Sequence, residues 1–82
     1  MKEKIITTVL REVKEVIKNA ESFILKYNPT EQRKRKIWES VYDEIDGMIL
    51  ITMSLLDCEI EDYPITKLQD LQYITIEKAQ NN

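Results

Sequence analysis

Apolar side chains recur through the first third of the chain at alternating steps of three and four: Ile6, Val9, Val13, Val16, Ala20, Phe23 and Tyr27. That spacing stacks side chains on one face of an α-helix, and Leu10, Ile17 and Ile24 widen the line to a core-facing stripe. A helix over residues 4–27 is predicted, with Arg11, Lys14, Glu15, Lys18 and Ser22 on its wet side. Trp38, Val41, Ile45, Met48, Thr52 and Leu55 repeat the pattern and predict a second helix over 29–57. Ile37, Tyr42, Ile49 and Leu56 broaden its seam. Ile65, Leu68, Leu71 and Ile74 give one apolar edge to a third helix over 65–78, followed by a frayed tail at 79–82. Within that segment "LQYITI" (71–76) also alternates with period two, so helix and strand both stay open there.

The punctuation between the first two segments is "YNPTE" (27–31). Asn28 suits a helix cap, Pro29 the first helical position, and Glu31 the carboxylate of a capping box. So short a connection predicts that the chain doubles back at Pro29. The expected architecture is a single all-α domain, a long antiparallel helical hairpin with a shorter third helix, in a three-helix bundle. Pro64 or Thr66 would open the third helix. Gly47 falls inside the second helix. Either another backbone approaches there or good packing tolerates it.

Composition narrows the chemistry. Eighty-two residues enclose no large catalytic cleft. One cysteine and no histidine rule out Cys/His zinc sites and His-based nucleophile systems, and no glycine-rich phosphate loop is present. No cofactor is expected. Cys58 reads as an inert buried thiol in a reducing compartment. The longest apolar run, "GMILITMSLL" (47–56), is about half of what a membrane crossing requires. A cytoplasmic protein with no membrane association is therefore expected.

Charge is distributed unevenly. The net charge is −3, yet residues 1–36 hold ten Lys/Arg against five acids. Residues 37–66 hold no Lys or Arg and eight acids. In a hairpin turning near residue 28, Asp43 and Asp46 would come level with Arg11 and Lys14, and Asp57 with Lys2 and Lys4. Facing opposite charges are thus expected to fix the hairpin's orientation. Arg33, Lys34, Arg35 and Lys36 are consecutive, so on a helix they point to all sides and form no single basic stripe. That argues against a nucleic-acid surface built on this tract, as does the absence of any helix-turn-helix or RNA-binding signature.

Glu12-x-x-Glu15 and Asp43-x-x-Asp46 form a paired acidic pattern on the two long helices. It resembles the ExxE…ExxD pattern of the MazG-like, all-α nucleoside triphosphate pyrophosphohydrolases. The resemblance spans about half the chain, and it implies that Glu12, Glu15, Asp43 and Asp46 hold magnesium to activate water. Helix arithmetic sets against this a Glu15 about 140° from its apolar stripe and an Asp43 about 180° from its own.

The remaining reading is contact with another protein. Leu50, Ile51 and Met53 lie off the second helix's main seam, leaving "MILITMSLL" apolar nearly all round, so more than one side needs cover. The acids Asp43, Glu44 and Asp46 adjoin them. This set, Asp43, Glu44, Asp46, Leu50, Ile51 and Met53, is the expected surface for a protein partner with a basic face, with a homodimer as another way to cover it. The expected role is a small acidic regulator or inhibitor of a larger macromolecule, of the kind that phages, plasmids and immunity systems use.

Overall fold

A computed structural model describes residues 2–57 and 62–81 of the chain. It contains three helices in the order α1 (Lys2–Tyr27), α2 (Glu31–Leu56) and α3 (Tyr63–Asn81), with no strand among the described residues. Residues 71–76, open between helix and strand by pattern, are helical. The readings of Cys58, Glu59 and Glu61 fall outside the described residues.

The chain does double back at Pro29, but its caps are shifted from those expected. Asn28 adopts the left-handed conformation (φ 43°), and its amide donates to the Ile24 carbonyl at 2.9 Å, closing α1 rather than opening α2. Thr30 is the true N-cap of α2: its hydroxyl accepts from the Arg33 amide at 3.3 Å. Pro29 lies one residue before that cap, where its fixed φ and missing amide cost nothing. Glu31 becomes the first helical residue, favourable at the positive end of the helix, and pairs with Lys34 at 3.4 Å. At its far end α2 stops at Asp57, left-handed at φ 53°, whose amide returns to the Met53 carbonyl. The backbone amides of Ile65 and Thr66 both donate to the Asp62 carbonyl at 3.0 Å, so Pro64 sits inside the first turn of α3.

Each helix contributes a line to one core. Val13, Ile17 and Ala20 come from α1, Trp38, Val41, Ile45, Ile49, Thr52 and Leu56 from α2. From α3 come Ile65, Leu68, Gln72, Thr75 and Ala79. The α2–α3 interface is the most extensive, and α1 touches α3 least. The core line of α1 is displaced from the expected seam, because Phe23 and Tyr27 stay half-exposed at the hairpin end. On α2 the expected Leu55 is 68% exposed and its neighbour Leu56 takes the core position. Ile74 likewise leaves the α3 line, which runs 65–68–72–75–79 through two polar residues. The last turn of α3 does not end at residue 78: Ala79 is buried against the core cluster, so tertiary contact holds the helix to Asn81.

Both hydroxyls in the core satisfy themselves locally. Thr52 donates to the Met48 carbonyl and Thr75 to the Gln72 carbonyl, each at 2.7 Å, so neither leaves an orphan. The resulting molecule is elongated, 41 × 19 × 15 Å, as long as its longest helices. Its radius of gyration of 13.5 Å exceeds the roughly 12 Å of a compact chain this size.

Gly47 lies on the outward side of α2, and a Cβ built there would meet nothing within 4 Å. No neighbouring segment among the described residues explains the glycine. Gly47→Ala is expected to raise stability by about 1 kcal/mol through helix propensity, and the melting temperature by about 5 °C. Thermal unfolding followed by circular dichroism, at concentrations too low for self-association, checks this; an unchanged or lower midpoint would mean the glycine is required by the monomer's own fold.

Candidate contact surface

At about 100° per residue, the buried line of α2 leaves an opposite face carrying Arg33, Lys36, Ser40, Asp43, Glu44, Gly47, Leu50, Ile51 and Ser54. All but Gly47 are exposed. Leu50 and Ile51 are 61% and 62% exposed, and with Leu55 they make an apolar patch on the carboxyl-terminal half of the helix. Large aliphatic side chains so open to water leave apolar area whose burial would be favourable. Asp43 and Glu44 stand about two turns before Leu50 and Ile51. Neither forms an ion pair or hydrogen bond among the described residues.

Two members of the expected set also contact the rest of the fold. Asp46 turns toward α3, where its carboxylate accepts from the Gln72 side-chain amide at 3.1 Å. The same nitrogen donates to the Tyr42 carbonyl at 3.3 Å, so one buried amide ties α3 across a full turn of α2. Met53 is half-buried and packs against the core cluster. Leu55, assigned to the core by pattern, takes its place on the exposed patch. Gln72, the residue that fixes α2 to α3, was missed because a polar residue is not read as a core position; its place in a strict 3–4 series with Ile65, Leu68, Thr75 and Ala79 was the available signal.

The expected pairing of Arg11 and Lys14 with Asp43 and Asp46 is absent as well, and that of Asp57 with Lys2 lies outside the described side chains. No ion pair joins Arg11 or Lys14 to Asp43 or Asp46; Arg11 instead lies 3.8 Å from the adjacent Glu12, both side chains more than half exposed. Arg11 and Asp43 occupy the outer faces of their helices, which point away from each other, so being level along the axis does not bring them together. An exposed pair of this kind contributes little. Among the described residues, apolar packing of Val13, Ile17 and Ala20 with Trp38, Val41, Ile45 and Ile49 joins α1 to α2.

The four carboxylates of the acidic pattern do not gather either. Among the described residues no group of three or more Asp, Glu, Cys or His side chains is placed to hold a metal ion. Glu12 leans to Arg11 and Asp46 to Gln72, and Glu15 and Asp43 are exposed on outer faces.

The basic tract separates onto three sides of α2, as its consecutive positions require. Lys34 joins Trp38, Glu21 and Lys78 around a cleft of about 450 Å³ where the three helices meet. The Lys78 ammonium sits 5.4 Å from the centre of the buried Trp38 ring. Arg35 lies beside Glu39 and the end of α3. Arg33 and Lys36 share a larger cleft, about 690 Å³, at the hairpin turn with Phe23, Tyr27, Pro29 and Ile37. Its two rings, 49% and 59% exposed, are 4.7 Å apart and tilted by 44°.

No described helix is long and apolar enough to cross a membrane. Comparison with protein-family models, curated proteins and solved structures finds no match to this chain.

Proposed function

We propose that this protein acts by binding another protein through the outward face of α2, and that its role is to regulate or inhibit a larger macromolecule. The observation that carries the reading is the juxtaposition on one helix of an exposed aliphatic patch, Leu50, Ile51 and Leu55, with the unpaired carboxylates of Asp43 and Glu44. The aliphatic side chains supply the affinity, since their burial removes apolar area from water. The carboxylates select a partner with cations beside its own apolar ridge and accelerate encounter at low salt. Gly47, between the two sets and without a side chain, lets the partner approach the helix backbone closely.

Immobilised wild-type protein is expected to capture a specific protein from a lysate of its native host, and the Leu50→Glu/Ile51→Glu double variant to lose it. Asp43→Asn/Glu44→Gln should retain the partner with at least about tenfold weaker affinity and a shallower salt dependence. Equal recovery of the same protein by wild type and the Leu50/Ile51 variant would overturn the assignment of this face.

A further inference from the structure

We infer that the outward face of α2 is also the surface through which two copies of the chain pair, their α2 helices antiparallel about a two-fold axis passing near Ser40. The inference rests on the reading of this face as a contact surface and names one occupant for it. Along the face the order is an aromatic cleft at the hairpin turn, then Arg33 and Lys36, then Ser40, then Asp43 and Glu44, then Gly47, then Leu50 and Ile51. That order is complementary to its own reverse.

A half-turn about Ser40 brings together positions whose numbers add to about 80. Lys36 of each copy then meets Glu44 of the other, so the favourable charge pair occurs twice. Arg33 comes over Gly47, where nothing lies within 4 Å of a would-be Cβ, and the open space lets its guanidinium reach Asp43 and Glu44. Leu50 and Ile51 arrive at Thr30 and Pro29, the rim of the cleft formed by Phe23 and Tyr27. Two features that the monomer leaves unexplained, exposed aliphatics at one end and half-exposed rings at the other, thereby cover each other. Ser40, exposed, small and neutral, lies on the axis, where any charge would face its own copy. A parallel pairing would set Lys36 against Lys36 and Glu44 against Glu44, so electrostatics selects the antiparallel arrangement. A second copy and the outside partner would compete for the same face, which makes the dimer the resting form.

Light scattering at tens of micromolar in low salt should give twice the 9.8 kDa chain mass, falling toward the monomer as salt rises. Lys36→Glu and Glu44→Lys should each raise the dimer dissociation constant at least about tenfold, with helicity unchanged. An equimolar mixture of these two variants should dimerise again, because each then supplies the charge the other lacks. A wild type that stays at the monomer mass, single variants that remain dimeric, or a mixture no better than its components would overturn the inference. So would a monomeric wild type whose turn cleft binds a labelled single-stranded oligonucleotide in a manner lost on Tyr27→Ala, since the rings and cations would then serve nucleic acid. If the wild type is monomeric while Leu50→Glu/Ile51→Glu still abolishes partner capture, the dimer falls and the contact-face reading stands. Loss of both results removes both.

Discussion

Replacing Gln72 with glutamate should destabilise the fold by on the order of 3 kcal/mol at neutral pH, whereas Gln72→Leu should change stability by less than about 1 kcal/mol. Gln72 is 3% exposed and its amide nitrogen faces two acceptors, the Tyr42 carbonyl and the Asp46 carboxylate. Glutamate keeps the shape but replaces the donor with an oxygen, so a buried carboxylate confronts two other oxygens. Leucine removes the donor without creating that conflict: the Tyr42 carbonyl keeps its own helical bond, and Asp46 is open to water. Adding Asp46→Asn to the glutamate variant should return about 1 kcal/mol or more, because the new side-chain amide can donate to residue 72. Urea denaturation of the four proteins checks the set. A glutamate variant as stable as the leucine variant would mean that the α2–α3 bridge is not formed.

Ile45→Ala is expected to cost about 3 kcal/mol and to lower the melting temperature by about 15 °C. Ile45 is fully buried at the middle of α2, within the most extensive helix interface, and truncation there leaves a cavity that three packed helices cannot close easily. For a chain of this length the total stability is on the order of 4–12 kcal/mol, so the loss is a large share of it. Ile51→Ala, six residues further on and exposed, should stay within about 0.5 kcal/mol in the monomer. The contrast is the informative result: comparable losses at the two positions would place the core of α2 on the wrong side.

Much of the fold was legible from spacing. Steps of three and four in the apolar residues located all three helices, and "YNPTE" located the reversal between the first two. The errors fall where neighbouring residues compete for one place. Leu55 and Leu56 are equally apolar and one position apart, and which of them enters the core depends on where α3 crosses. Asn28 and Thr30 are both good caps; the left-handed conformation of Asn28 assigns one to each helix. Gln72 and Thr75 hold core places in the 3–4 series of α3, but their polarity hid them, because their burial depends on acceptors, the Tyr42 and Asp46 oxygens for one and the Gln72 carbonyl for the other, and the first two arrive from a different helix.

The candidate surface divides in the same way. Asp43, Glu44, Leu50 and Ile51 were expected from sequence because they fall outside the seam of α2, a matter of local period alone. Asp46 and Met53 were also expected there; Asp46, still exposed, accepts from Gln72 of α3, and Met53 packs against the core cluster. The expected charge pairing along the hairpin failed because sequence gives height along a helix axis but not rotation about it. Periodicity and turn chemistry, which act over a few residues, determined that this protein is three helices folded back at Pro29. Which side chains face one another was decided only when α3 packed onto α2, because burial and hydrogen bonding between helices depend on partners distant in the chain.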